Sequence, residues 1–167
     1  DFTKPGSFAI FRKKDSNFMI ASAENPMGTV ISNKENITRT KAFRKFLDDN
    51  HINYHEQLGK YGGNAEASNL IEITNPKQRV LIDNWLAKNS PQAENIIIKD
   101  GKAVRYDPRT NEAYQVDLTK YKGQLRRDDL ADDFYSEIAG KKYALPLYDN
   151  SVEKVLDRNN FMEYYNN

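Results

Sequence analysis

The sequence contains no cysteine, which excludes disulfide bonds, thiol nucleophiles and metal sites built from thiolates. It also contains no apolar run near the ~20 residues that a membrane-spanning helix needs. The start of the chain, Asp1 to Pro5, lacks the apolar core of a signal peptide. We therefore expect a soluble, cytoplasmic protein with no membrane partner. A chain that begins at Asp1 without methionine also fits a processing product, a piece of a longer protein or a trimmed expression tag.

An excess of positive charge is absent as well. The chain has 25 lysine and arginine residues against 24 aspartate and glutamate residues, a net charge of +1. This balance supplies little of the sequence-independent attraction that a dedicated nucleic-acid-binding protein needs. One cluster keeps nucleic acid as an alternative partner, because four basic residues share a predicted helix over residues 33–49: Arg39, Lys41, Arg44 and Lys45. An ordinary solvated helix face explains the same residues.

Histidine is scarce, with His51 and His55 as the two examples. They straddle the start of a predicted strand, where a spacing of four does not create the paired ligands that it creates on a helix. Carboxylates such as Asp100 and Asp107 fit turn chemistry better than metal binding. We predict no metal site and no cofactor.

The 167 residues suffice for one domain with a sizeable core. Short apolar segments bounded by turn residues predict strands, and Asp100-Gly101 predicts a tight hairpin turn. The first two strands are expected to pair as a hairpin. The predicted strands cover residues 7–11, 17–21, 53–58, 68–74, 95–99, 103–106 and 113–117.

Two amphipathic helices are predicted between these strands. Ser32 and Glu35 form a capping box at the start of the first helix, which runs to Asp49. Asn75 and Pro76 provide a cap and a first-turn proline for the second helix, whose apolar positions include Val80, Leu81, Trp85 and Leu86. The order of elements predicts an α+β fold, with both helices packed on a largely antiparallel sheet.

The pattern changes after residue 117. Leu130, Phe134 and Ile138 recur every four residues before Gly140, and Ser151 resembles the cap of a last segment that runs through Tyr165. We therefore divide the chain into an α+β core domain over residues 1–117 and a helical C-terminal extension over residues 118–167, packed on that core.

Polar side chains gather where two strands end. Glu24-Asn25-Pro26 closes an apolar run with a turn, and a glycine-rich segment, 59–63, lies between two later strands. If these regions converge, they provide carboxylates, amides, a cation and a phenol around one depression, a mixture that can orient a polar ligand or move a proton. Turn capping explains the same residues, and the glycine segment is not a phosphate loop. The candidate ligand-binding residues are Glu24, Asn25, Asn36, Lys60, Tyr61, Glu66 and Ser68, and no catalytic residue is assigned.

The pattern of Ala23-Glu24-Asn25-Pro26, a helix with Asn36, then Gly59-Lys60-Tyr61-Gly62, Glu66 and Ser68 resembles an uncharacterised domain family of bacteria and of large phage "polyvalent" proteins. In that family the second helix is followed by a segment similar to Gln92-Ala93-Glu94 and an isoleucine-rich strand. The resemblance spans Phe8 to Tyr106. It implies a phage or mobile-element protein, delivered into the host cytoplasm with the virion or cut from a longer precursor. It transfers no catalytic residue.

Three functions follow from these observations. The first is an accessory module that binds a host or virion protein through its tyrosine-rich C-terminal part. The second is a ligand-binding, nucleotide-binding or enzymatic domain with a pocket around Glu24, Asn25, Tyr61 and Glu66. The third is nucleic-acid binding through the basic helix. Under the second, we expect Glu24→Gln and Glu66→Gln to abolish activity with little change in stability.

Overall fold

A computed structural model describes residues 7–61, 64–126 and 134–167 of the chain. These residues form an α+β fold with three α-helices and nine strands, which confirms the predicted fold class. The helices are α1 (Asn33–Asp49), α2 (Lys77–Asn89) and α3 (Arg158–Asn166). The strands are β1 (Asn17–Ala21), β2 (Tyr54–Tyr61), β3 (Asn64–Glu72), β4 (Asn95–Lys99), β5 (Lys102–Tyr106), β6 (Ala113–Asp117), β7 (Phe134–Ile138), β8 (Lys141–Tyr143) and β9 (Glu153–Lys154).

All nine of these strands belong to one antiparallel sheet, in the order β8-β7-β2-β3-β1-β4-β5-β6-β9. Strand β1 therefore lies at the centre of the sheet, between β3 and β4. Ile20 pairs with Leu70 on one side and with Ile96 on the other. This arrangement brings the chain that leaves β1 close to the middle of β3 and to the residues that precede β4.

Both faces of the sheet are buried. Alternate residues point to opposite faces, so that Met19 packs with α1, α2 and α3, while Phe18 and Ile20 pack on the other side. The helix-covered face contains Phe43, Leu47, Ile82, Leu86 and Phe161. The opposite face is covered by a 3-10 helix, which contributes Phe8 and Phe11, and by irregular chain, which contributes Leu118, Leu125 and Leu147.

The start signals of the first two helices are confirmed. Ser32 Oγ accepts a hydrogen bond from the Glu35 backbone N–H at 3.2 Å, and Asn75 Oδ1 accepts one from the Lys77 N–H at 2.9 Å. The buried face of α2 differs in part from the prediction. Leu86 is buried as expected, but Val80 and Leu81 are exposed, and Ile82 is buried in their place. The Asp100-Gly101 turn is also confirmed, with both residues at positive φ.

The predicted first strand is wrong: Ser7–Arg12 is a 3-10 helix, so the expected first hairpin does not form. Phe8 and Phe11 are three residues apart and are both buried in the face opposite the helices. A 3-10 helix places residues i and i+3 on the same side, whereas a strand would point them to opposite sides.

The predicted helix before Gly140 is also wrong, because Phe134–Ile138 is strand β7, paired with β2 and β8. Leu130, the first residue of that pattern, lies outside the described residues. Ala139 and Gly140 both have positive φ, which fits the two-residue turn between β7 and β8. The cap of the last helix also differs from the prediction. Asp157, not Ser151, accepts a hydrogen bond from the Asn159 N–H at the start of α3.

The C-terminal segment joins the fold in three places. After residue 117 the described chain adds β7 and β8 to one edge of the sheet and β9 to the other, and α3 packs on the helix-covered face. In the described parts of the chain, no helix has the length and apolar character needed to cross a membrane.

Candidate ligand-binding site

A cleft of about 220 Å³ opens on the side of the sheet opposite the helices, where the chain leaves β1. Its walls come from the end of β1, the turn that follows, the first half of β3, the segment before β4, and Tyr148. These segments meet because β1 is paired with both β3 and β4. The cleft therefore depends on the central position of β1.

Glu66 on β3 places a partly buried carboxyl group in the wall of the cleft. Its Oε2 accepts a long hydrogen bond of 3.4 Å from Asn25 Nδ2. Burial raises the pKa of Glu66 to about 7, the charge of Glu24 acts in the same direction, and hydrogen bonds from Asn25 and Ser22 oppose the rise. Near neutral pH this carboxyl group can therefore act either as an acceptor or, when protonated, as a donor.

Asn25 is held in place by Asn36 on α1. The Asn25 N–H donates to Asn36 Oδ1 at 3.0 Å, and Asn36 Nδ2 donates to Asn25 Oδ1 at 2.9 Å. Asn25 has a positive φ of 45°, a conformation that asparagine tolerates better than most residues. Asn36 therefore positions the turn, and Asn25 in turn contacts the Glu66 carboxyl group.

Glu24 faces away from the cleft. Its Oε2 accepts from Thr40 Oγ1 at 2.6 Å and its Oε1 from the Ala67 N–H at 3.0 Å. The residue is 8% exposed and does not line the cleft. Because both oxygens are bound to other segments, Glu24 ties the end of β1 to α1 and β3.

Ser68 lies at the floor of the cleft and belongs to a buried polar network. Its Oγ donates to the Ala21 carbonyl at 3.4 Å and accepts from Gln57 Nε2 at 3.3 Å. Gln57 also donates to Ser136 Oγ at 3.4 Å and accepts from the Tyr143 hydroxyl at 2.8 Å. This network connects the cleft floor to β7 and β8, and nothing local in the sequence marked Gln57 as its centre.

Lys60 is separate from the other candidates. Lys60 lies on β2, paired with Ala65 and Tyr135, and does not line the cleft. The side chain of Tyr61 and residues 62 and 63 lie outside the described residues. The structure thus brings Asn25, Glu66 and Ser68 to the cleft and places Glu24 and Asn36 behind it.

Gln92 and Glu94, in the opposite wall of the cleft, were not among the predicted site residues. Gln92 Nε2 donates to the Glu24 carbonyl at 3.2 Å. Glu94 accepts from the Tyr148 hydroxyl and from Arg105 Nη1, both at 2.8 Å. Polar residues directly before a fully buried strand were a usable signal, but only once β4 was known to pair with β1.

Three of the four basic residues on α1 make contacts within the protein. Arg39 Nη1 donates to the Asn89 carbonyl at 2.8 Å, and Arg44 contacts Asn69 and Glu56, also at 2.8 Å. Lys45 forms an ion pair with Asp49 at 2.7 Å, and Lys41 is exposed. These contacts weaken the argument for a nucleic-acid surface, which stays a prediction that salt-dependent binding would test.

No family model matches this chain, and no curated protein matches it. Within residues 7–61, 64–126 and 134–167, no three histidine, aspartate or glutamate side chains are grouped so as to hold a metal ion.

Proposed function

We propose that the protein binds a small polar ligand in the cleft and that the Glu66 carboxyl group receives it. The observation that carries this proposal is the position of a partly buried carboxyl group, whose contact with Asn25 is long at 3.4 Å, in the wall of a concave site. Ligand sites combine such a depression with a few convergent polar groups. The polar residues beside Glu66 are Ser22, Asn25, Asn64 and Ser68, and the opposite wall adds Gln92, Glu94, Asn95 and Tyr148.

The size of the cleft limits the ligand. Drug-sized molecules occupy pockets of about 300–1,000 Å³, and this cleft measures about 220 Å³. A nucleotide with its phosphates is disfavoured further, because the described cleft lining contains two carboxylates and no lysine, arginine or histidine. We therefore expect a compact ligand without phosphate groups.

A fragment screen by two-dimensional NMR tests this function. Compounds that bind should shift the amide signals of residues 22–31, 64–68 and 92–96. Their affinity should fall at least about 10-fold in Glu66→Gln, the effect of losing roughly 1.4 kcal/mol of interaction. Glu72→Gln is the matched control, because Glu72 lies on the same strand but outside the cleft. Equal binding by wild type and Glu66→Gln would refute the role of this carboxyl group.

Binding of a host or virion protein, as an accessory module of a phage or mobile element, is a second proposal. It is supported by exposed apolar side chains beside the cleft, since Val30 lines the cleft mouth and is 66% exposed, and Met27 in the same loop is also exposed. A protein complex that survives gel filtration and is lost in Val30→Asp would favour it. The absence of such a complex, with ligand binding retained, would leave the small-ligand function alone.

A further inference from the structure

The cleft lining combines polar and apolar side chains. Asn25, Glu66 and Ser68 lie on the side formed by the turn and β3, whereas Ile20 and Ile96 contribute hydrocarbon on β1 and β4, next to Glu94 and Tyr148. A ligand in this space can therefore contact hydrogen-bonding groups and the hydrocarbon of Ile20 and Ile96 at the same time.

A narrow slot lies next to Ile20 and Ile96. It measures about 20 Å³ and shares Ile20, Ile96 and Tyr148 with the cleft. Beyond these residues its walls are Tyr135, Ser136, Tyr143, Ala144, Leu145 and Leu147. A volume of this size holds about one water-sized group, so the slot fits the end of a thin chain and not a ring.

The charge of the cleft selects the polar end of the ligand. Glu94 is already paired with Arg105 and the Tyr148 hydroxyl at short distances, whereas the contact of Glu66 with Asn25 is long. A partly desolvated carboxylate with no cation among the described residues of the cleft lining favours a positively charged partner. A negatively charged ligand would lie beside the Glu66 carboxylate, with no cation in the described lining to offset the repulsion.

From this geometry we infer that the ligand is a small primary amine with an unbranched apolar chain. Its ammonium group contacts Glu66, and its chain follows Ile20 and Ile96 towards the slot behind Tyr148. This inference rests on the proposed function and names the class of compound that the cleft binds.

A series of n-alkylamines from methylamine to hexylamine, titrated by NMR, tests the inference on the wild-type protein. Each added methylene should strengthen binding about 2- to 4-fold, the gain from burying one such group, until the slot is filled and the gain stops. The matching carboxylates, from acetate to heptanoate, should not bind measurably. An affinity that is independent of chain length, or equal for amines and carboxylates, would overturn the inference.

Filling the slot provides a second test. Ala144→Leu should stop the gain in affinity one or two carbons earlier and leave methylamine binding unchanged. Ala42→Leu, an exposed position on α1, is the matched control and should leave the whole series unchanged. If Ala144→Leu folds and the series is unaltered, the chain does not enter the slot.

The proposed binding function and the proposed ligand class are refuted by different results. If other small polar compounds bind in a Glu66-dependent manner and no amine does, the ligand class is wrong and the function stands. If neither amines nor any other compound perturbs the cleft, both are wrong.

Discussion

Glu66 and Asp83 are two partly or largely buried carboxyl groups whose surroundings differ. Burial raises the pKa of both above the ordinary range, although hydrogen bonds oppose the rise in each case. Glu66 lines an open cleft and has a long contact to Asn25. Asp83, on α2, is enclosed by other elements, and both of its oxygens accept hydrogen bonds from them.

The contacts of Asp83 show what such an enclosed group does. Its Oδ2 accepts from the Tyr106 hydroxyl at 2.8 Å and from the Tyr165 hydroxyl at 2.5 Å, and its Oδ1 accepts from Asn95 Nδ2 at 2.7 Å. Arg79, which is fully buried, donates to the Tyr165 carbonyl at 2.9 Å. This cluster joins α2 to β4, β5 and α3.

A raised pKa therefore does not by itself identify a functional site. The same physical cause, removal of a carboxyl group from water, acts at both places. Of these two groups, Glu66 is the one that faces a space that a ligand can enter. The comparison assigns Asp83 to stability and Glu66 to binding, and four substitutions test this division.

The largest effect is expected for Asp83→Ala. The substitution leaves the hydroxyl groups of Tyr106 and Tyr165 and the Asn95 amide without the acceptor that Asp83 provides. Loss of a buried network of this kind costs about 3–5 kcal/mol of unfolding free energy. Urea denaturation measures it, and a loss under about 1 kcal/mol, the worth of a single ordinary hydrogen bond, would show that the cluster does not hold α3 to the sheet.

Glu24→Gln should follow, with a loss of roughly 1–3 kcal/mol, because an amide replaces an acceptor that serves both Thr40 and the Ala67 N–H. The structure thus revises our expectation that this substitution leaves stability nearly unchanged. Denaturation of Glu24→Gln beside Glu163→Gln, an exposed control on α3, measures the cost. A wild-type midpoint would return Glu24 to the list of binding residues.

Glu66→Gln should increase the free energy of unfolding at high pH, whereas the two substitutions above decrease it. Because folding raises the pKa of Glu66 from 4.5 to about 7, its favourable contribution to folding is complete below pH 4.5 and is lost as the pH rises through 7. The glutamine side chain of the variant does not ionise, so the variant should gain roughly 1–3 kcal/mol over wild type at a pH of about 8.5. At a pH of about 5 the difference should nearly vanish, and a pH-independent difference would contradict the assignment.

Tyr148→Phe should have the smallest effect. It removes one hydrogen bond to Glu94 at a residue that is 38% exposed, so we expect less than about 1 kcal/mol. The change in the thermal midpoint measures this loss. A large loss would mean that the wall of the cleft is as important for folding as the Asp83 cluster.

The sequence predicted those parts of the fold that local signals specify. The Ser32 cap, the Asp100-Gly101 turn and the buried strand that starts at Asn95 depend on neighbouring residues alone. The secondary structure of Ser7–Arg12 and Phe134–Ile138 was predicted wrongly, because it depends on distant partners. These are the core beneath Phe8 and Phe11, and the edge of β2.

The candidate site, like the fold, could be predicted only in part. Sequence reasoning named the Glu24-Asn25 turn and the glycine-rich segment as a site on the condition that they converge. In the structure Asn25 contacts Glu66, whereas Lys60 does not line the cleft and residues 62 and 63 lie outside the described residues. Sequence reasoning did not distinguish the role of Glu24 from that of Glu66. No local pattern shows that Glu24 is bound to Thr40 and the Ala67 N–H while Glu66 lines the cleft. Gln57 and Tyr148 are brought in by strand pairing and by a long loop, and neither is marked by its neighbours.

The most direct test is a ¹³C NMR titration of the Glu66 side-chain carboxyl carbon, with and without n-butylamine. Our account predicts a midpoint near pH 7 in the free protein and a lower midpoint when the amine is bound, because a cation favours the ionised carboxyl group. A midpoint near 4.5, the ordinary value for this side chain, that is unchanged by the amine would contradict it.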